Sequence, residues 1–377
     1  MSLTANNIKI NINSVKELPD NRKRIPLPNS IINKIKSDIN SMPKSKLKQK
    51  STKDFYWGGI PDYIDLPTLT YDLPIIEVDS YTGFNQKNVF ECNRPSRYLG
   101  QNWKTINKSC VCIDKKTKRL LWIFIIGKDE PAIKYALRDA NEIVEGFDKY
   151  AKLKSETFYT QQFFKGATKI PYVEKEDRPK EVSRYTGKNW LDGIQRYLDG
   201  SKGHNVFAYY PIKKEGQEDF DWRYKEARLY TLLYQLEKRY SPQTAQYRYD
   251  LAKNSNFVGS IPNIPIEMNP STSMGSSIDF CSSFHSDSSK QGTLETIIWK
   301  GTLGNKKSVF VNGISQHYFD LNEDCMIFQV GTDYHGTAPT GSHGGLGFVN
   351  LTKSLLVGNT TYTKNWYDKW KKYLKMN

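Results

Sequence analysis

The chain has 377 residues with 55 Lys and Arg against 40 Asp and Glu, a net charge of +15, and is 38% hydrophobic and 13% aromatic. That apolar content supports a sizeable core and excludes a wholly disordered chain. The longest apolar run, Leu120–Ile126, excludes a bilayer-spanning helix, and five scattered cysteines (Cys92, Cys110, Cys112, Cys281, Cys325) exclude a disulfide framework.

The charge sits at the ends. Residues 1–53 hold 12 Lys and Arg and 3 acids, residues 351–377 hold 6 Lys and 1 Asp, and residues 54–350 are close to neutral. Basic ends on a neutral body suit contact with a polyanion, most often nucleic acid, or act as solvated tails. The opening Met1–Asn13 is polar and mixed, unlike a signal peptide, and the cysteines are odd in number. The expectation is a reduced intracellular protein, cytoplasmic or nuclear and not secreted, with no membrane contact.

Taken in order, residues 1–53 predict a loosely ordered basic arm interrupted by Pro26, Pro28 and Pro43, with a short helix at Ile31–Ile39. Residues 54–250 predict an α+β region with supporting helices. From Phe55 to Trp103, Tyr56-Trp57-Gly58-Gly59 and Tyr98-Leu99-Gly100 predict packed loops. Ser109–Ile113, a Lys115–Lys118 turn and Leu120–Ile126 predict a β-hairpin. A helix follows, capped by Asp129, with Pro131 in its first turn and Ile133, Ala136, Leu137, Ala140, Val144 and Phe147 on one face. Lys175–Lys180 predicts a solvated loop and Trp190–Leu198 a short helix. Arg223–Tyr240 predicts a longer helix with a stripe of Leu229, Leu232, Leu233, Leu236 and Tyr240, ended by Ser241-Pro242.

Residues 251–358 change to strands: Ser276–His285, Thr293–Trp299, Ser308–Val311, Gln316–Leu321, Cys325–Val330 and Leu346–Thr352. Short strands with tight turns predict an all-β sandwich or barrel. Residues 359–377 predict a basic amphipathic helix, Thr361–Met376, with Trp366, Trp370, Tyr373 and Leu374 on one face. Docking of that face on the body is the expectation, with base stacking as the alternative.

The chemistry concentrates late. Of the five histidines, His285, His317, His335 and His343 lie in the last 93 residues. Side chains two apart on a strand share a face, so His285 and Asp287 can point together at a strand end. A later strand can deliver His335 to the same point. Two imidazoles and one carboxylate on one side of an ion leave the other side open, as in a non-haem Fe(II) site that activates dioxygen.

His285-x-Asp287, the turn before Cys325-Met326-Ile327-Phe328, His335-Gly336-Thr337-Ala338-Pro339 and the closing strand Gly345–Val349 resemble the Fe(II)/2-oxoglutarate-dependent dioxygenases. Within that superfamily the pattern resembles the TET/JBP group, which oxidises the methyl of thymine or methylcytosine in nucleic acid. The resemblance covers residues 255–355. It implies an α+β protein whose C-terminal core is a double-stranded β-helix, of the jelly-roll or cupin kind. It implies Fe(II) held by His285, Asp287 and His335, with 2-oxoglutarate as cosubstrate and O2 as oxidant. The family anchors the distal carboxylate of 2-oxoglutarate with a basic residue, usually Arg, at the last strand, where a guanidinium fork fits a carboxylate. Here His343 takes that place and no Arg follows Arg248, so His343, Lys300 and Lys353 are the candidates.

Glu295 or Gln316 is a candidate partner for a metal-bound imidazole. Ser288, Ser289 and Asn350 are candidates for lining the pocket, and Trp299 is expected in the core. The function implied is oxidation of a nucleic-acid base, which must leave the duplex to be reached. The alternatives are a protein side-chain hydroxylase of the same chemistry, or a non-catalytic barrel that binds nucleic acid or serves structurally.

Overall fold

The computed structural model describes residues 27–52, 54–83, 103–150, 188–199, 204–209, 220–254, 265–271, 273–278, 282–287, 289–301, 309–338 and 346–351. These form four helices: α1 (Asn29–Asn40), α2 (Ala132–Tyr150), α3 (Phe220–Tyr240) and α4 (Pro242–Asn254). The strands of the N-terminal part are β1 (Gln49–Thr52), β2 (Thr68–Tyr71), β3 (Ile75–Val78), β4 (Lys104–Ile106), β5 (Cys110–Asp114), β6 (Leu120–Ile126), β7 (Lys188–Asp199) and β8 (His204–Tyr209). The C-terminal strands are β9 (Ser273–Ile278), β10 (Ser282–His285), β11 (Leu294–Trp299), β12 (Val309–Asn312), β13 (His317–Asp320), β14 (Cys325–Val330), β15 (His335–Ala338) and β16 (Leu346–Leu351).

The fold is α+β, with two large sheets and one small one. The larger sheet runs β3-β5-β6-β14-β11-β16-β9-β7-β8, and the smaller runs β10-β15-β12-β13-β4. From β9 to β16 the chain alternates between them. β9, β11, β14 and β16 lie in the larger sheet, and β10, β12, β13 and β15 in the smaller, with antiparallel pairing inside each group. β1 and β2 pair separately.

The two-residue period of each strand divides the core. On β11 and β14, Leu294, Ile298, Met326, Phe328 and Val330 join α2 and α3 in one cluster on the helix side of the larger sheet. Ile297, Cys325 and Ile327 point the other way, into the space between the sheets, where Trp122, Phe124, Phe310 and Phe319 pack. Burying one such aliphatic or aromatic side chain contributes roughly 1.5–3 kcal/mol. Trp299 packs there too, with its ring 5.0 Å from that of Phe310.

The β5–β6 hairpin and the α2 stripe of Ile133, Ala136, Leu137 and Ala140 lie where the pattern predicts, all buried. The cap differs. The Glu130 carboxylate accepts the Ala132 N–H (3.2 Å), while Asp129 accepts the Ser109 hydroxyl (2.6 Å). The short helix expected at Ile31–Ile39 runs from Asn29 to Asn40 as α1, with Ile35 fully buried. Ser241-Pro242 ends α3 at Tyr240 as the pattern predicts, but a further helix follows at once. Pro242 opens α4, at a position where its missing N–H costs nothing. The buried side of α4 is Thr244, Ala245, Arg248 and Ala252, so no apolar stripe announces it.

Trp190–Leu198, predicted as a helix, lies within strand β7. Its apolar residues fall at helix-like intervals, but pairing with β8 and β9 decides the local structure. Ser276–His285, predicted as one strand, is two strands in different sheets. The Tyr98-Leu99-Gly100 and Lys175–Lys180 loops and the Thr361–Met376 helix fall outside the described residues. No helix among the described residues is long and apolar enough to cross a membrane. Cys110, Cys112 and Cys325 are free thiols buried in the space between the sheets, and burial pushes the Cys110 thiol up to about 12.

Candidate metal centre

His335 is the first residue of β15, entered through the turn Gly331–Tyr334. The Asp333 N–H is bonded to the Val330 carbonyl (2.9 Å), which closes that turn. The Asp333 carbonyl then lies 2.7 Å from His335 Nδ1. A carbonyl can only accept, so that contact places a proton on Nδ1 and turns Nε2 towards the site. Asp333 is itself held from a distance. Both terminal nitrogens of Arg119, in the β5–β6 turn, donate to its carboxylate at 3.2–3.4 Å. Burial pushes the Asp333 carboxyl up, and the Arg119 guanidinium pulls it back.

His335 Nε2 faces two carboxylates, Asp287 Oδ2 at 3.4 Å and Glu295 Oε2 at 3.9 Å. Asp287 follows the end of β10, and its N–H donates to the Gly331 carbonyl (2.8 Å). Glu295 is the second residue of β11 and shares the interior face with Ile297. Fully buried, it accepts from the Ser289 hydroxyl (2.8 Å) and from Gln329 Nε2 (3.3 Å), its cross-strand neighbour on β14. Gly331 is required here, because a Cβ on it would meet the Glu295 carboxylate and the Ser289 hydroxyl.

The donor atoms of Asp287, Glu295 and His335 all lie within 4.8 Å of one another. Donors held at about 2 Å from one ion sit at most about 4 Å apart, so the two closest separations are within a metal's reach. One imidazole and two carboxylates suit a first-row divalent ion. The same carboxylates act on the imidazole. Burial lowers the His335 pKa, but the Asp287 hydrogen bond and the charges of Glu295 and Asp287 outweigh it and raise it to about 9.

The backbone of His285, the last residue of β10, stands directly opposite that of His335 in the β10–β15 ladder. Of the residues proposed for the cosubstrate, Lys300 is exposed beyond the far end of β11. Five residues of strand, roughly 16 Å, separate it from Glu295. Asn350 on β16 stands in register with Thr296, one residue out of step with Glu295. His343, Lys353 and Ser288 fall outside the described residues. Gln316 is not beside His335. It is exposed in the β12–β13 turn with a positive φ of 54°.

Glu295 was expected as an outer partner of an imidazole. It stands on the Nε2 side, where an ion would sit, while the Asp333 carbonyl takes the outer place. Arg119, Asp333 and Gln329 carried no local signal. The Arg119–Asp333 pair spans 214 positions, and Gln329 meets Glu295 only through the ladder.

No known family model matches the chain, and no curated protein does. Solved structures are weakly similar, two of them as follows. NgTET1 in complex with 5mC DNA is 12% identical over 72% of this chain and 92% of that one, with a TM-score of 0.35. A provisionally named oxygenase from Shewanella oneidensis is 12% identical over 81% of this chain and 100% of that one, with a TM-score of 0.27. Similarity at this level fixes neither fold nor activity.

Proposed function

We propose that the chain is an Fe(II)/2-oxoglutarate-dependent dioxygenase, an oxidoreductase that oxidises a methylpyrimidine base in nucleic acid. The observation that carries this reading is the buried His335. Its Nδ1 is committed to a main-chain carbonyl, and its Nε2 is aimed at two carboxylates within a metal's reach. The alternation of β9–β16 between two sheets, in the orders β14-β11-β16-β9 and β10-β15-β12-β13, supports a double-stranded β-helix.

In this reading His335, Asp287 and His285 hold the ion. When bound, iron with the keto acid and O2 supplies the oxidising power for attack on a C–H bond. The chain's own residues do the rest. Asp333 fixes the His335 tautomer, and Arg119 fixes Asp333. Ser289 and Gln329 hold Glu295 against the donors. Trp122, Phe124, Phe310 and Phe319 close the space between the sheets and keep water from one side of the site.

Of the basic candidates for the distal carboxylate of 2-oxoglutarate, Lys300 is exposed and remote. The remaining candidates, His343 and Lys353, lie outside the described residues. The choice of nucleic acid rests on the basic ends, which supply 14 of the 15 net charges.

The test is anaerobic addition of Fe(II) and 2-oxoglutarate, followed by O2 and a methylpyrimidine oligonucleotide. A visible charge-transfer band, succinate, and an oxidised base are expected, all lost in His335→Ala and His285→Ala. An iron-loaded protein that forms no succinate overturns the reading.

A further inference from the structure

Residues 44–50 fall in the stretch expected to be a loosely ordered arm, yet the rest of the chain ties them down. The Lys46 N–H donates to the Asp129 carbonyl (3.0 Å), and the Lys48 carbonyl accepts the Asp72 N–H (2.8 Å). The Lys50 carbonyl accepts the Thr70 hydroxyl (3.2 Å), across the pairing of β1 with β2. Ser45 turns inward. Its hydroxyl oxygen accepts the Leu47 N–H (3.2 Å) and lies 3.0 Å from the Tyr240 hydroxyl. Tyr240 gives its own proton to the buried Glu130 (2.7 Å), so Ser45 is the donor to Tyr240. Leu47 packs against the helix-side cluster.

This alternation leaves Lys44, Lys46, Lys48 and Lys50 exposed in a row. Each is two residues from the next, a step of at most about 7 Å. Lys128 and Lys108, both exposed, flank the row. Lys128 precedes Asp129, and Ser109, next to Lys108, donates its hydroxyl to the Asp129 carboxylate. Asp129 and Asp72 are the acids bonded to the row through the main chain, and Asp54 lies four residues beyond it. Among the described residues no lysine of the row makes an ion pair.

Like charges fixed side by side raise the local potential, and a polyanion with a repeating charge gains most from it. The step between lysines suits successive phosphates of a nucleic-acid strand. Residues 44–50 contain no aromatic, so they can follow a backbone but cannot stack on bases. A segment that lies on a membrane surface also presents apolar side chains to it, whereas Leu47 faces inward. Holding the main chain in place beforehand reduces the ordering cost of binding.

The row is remote from the metal centre. Trp122 stands opposite Gln329, which donates to Glu295. From Trp122, β6 runs four more residues, roughly 13 Å, before the chain reaches the loop of Asp129.

We propose that Lys44, Lys46, Lys48 and Lys50 hold the phosphate backbone of a nucleic-acid strand at a site separate from the metal centre, without reading its bases. This rests on the nucleic-acid partner of the reading above and not on its iron chemistry.

The test is fluorescence anisotropy of the full chain with labelled single strands across a salt series. One variant carries Lys44→Gln, Lys46→Gln, Lys48→Gln and Lys50→Gln. A control of equal charge carries Lys36→Gln, Lys115→Gln, Lys116→Gln and Lys253→Gln, all exposed elsewhere. The slope of log affinity against log salt is expected to flatten by about 3 in the row variant and by much less in the control. Lys44→Gln with Lys48→Gln alone should give half that change, and Arg at all four positions should keep the wild-type slope. The change should be the same on strands of different sequence. A row variant that flattens the slope no more than the control overturns the proposal. So does a row that binds vesicles of anionic phospholipid while the slope on strands is unmoved. Self-association of the row variant with an unmoved slope also overturns it, and makes the lysines guards of the β1 edge. Oxidation of the base with the slope unmoved removes this proposal and leaves the function. Row-dependent binding without succinate removes the function and leaves this proposal. A wild type that binds no strand removes both.

Discussion

The two faces of the larger sheet are made by the same strands and have opposite characters. On the helix side, Leu294, Ile298, Met326 and Phe328 meet α2 and α3, and the charges there are paired. Arg228 grips Asp139 through two nitrogens at 2.7 Å, Arg239 reaches Glu130 at 2.7 Å, and Arg248 holds Glu237 at 2.9 Å with both side chains fully buried. On the inner side the aromatic cluster shares its space with Asp287, Glu295, Gln329, His335, Asn312 and His317. Asn312 Nδ2, both ring nitrogens of His317 and Gln329 Oε1 lack partners among the described residues. The helix-side face is the more nearly completed by the chain itself, its charges paired although Trp57 Nε1 and Thr296 Oγ1 lack partners among the described residues, while the other turns polar atoms towards a common space. Local departures of that kind mark the places where a sequence serves something besides its own stability.

The largest effect is expected where the completed face is broken. Arg248→Met leaves Glu237 buried without its cation, at a spot where burial already pushes that carboxyl up. Urea unfolding should show a loss of roughly 3–5 kcal/mol. The metal affinity of the molecules that remain folded should not change.

Acid should act through the inner face. His317 has a folded pKa near 4 against an ordinary 6.5, so the unfolded chain takes up its proton first as pH falls. The stability linked to this group is fully present above about pH 6.5 and is lost progressively towards pH 4, by roughly 3 kcal/mol. Denaturation curves across that window should lose this slope in His317→Gln. An unchanged slope would place the titration elsewhere.

A smaller effect is expected at Gly331. Alanine there pushes on Glu295 and Ser289, and overpacking of this sort costs about 1–3 kcal/mol. Co(II) affinity should fall together with thermal stability, separating this site from Arg248. Smaller still is Arg119→Gln, which frees Asp333 and with it the His335 ring. A loss of about tenfold in metal affinity with little change in unfolding is expected, the usual lower bound for a residue that acts through a ligand.

Much of the completed face was legible in the sequence. The buried run Leu120–Ile126 and the four-residue stripe of α2 follow from apolar spacing alone, since helix-side packing rewards that spacing directly. The failures have physical causes. β7 carries apolar residues at helical intervals but is drawn into a sheet by β8 and β9. α4 buries Thr244 and Arg248 where a stripe would be expected, because its partners are Glu237 and the Leu294 carbonyl.

The inner face was legible only in part. His285, Asp287 and His335 could be put forward because a short motif and one later histidine are visible in sequence. Asp287 and His335 do meet, and His285 stands opposite His335 in the ladder. The place of Glu295 depends on the register that sets it against Gln329, and that of Asn312 on a row running across five strands. Registers of this kind are long-range facts that no local pattern contains.

The central claim is that His335 and Asp287 hold one ion, with Glu295 standing against them. Its most direct measurement is anaerobic titration of the full chain with Co(II), followed by visible absorption, on the wild type and on His335→Ala. One ion per chain with ligand-field bands is predicted, with the bands and the saturable binding lost in the variant. A wild type that binds no ion, or a variant that binds as tightly with the same spectrum, would contradict it.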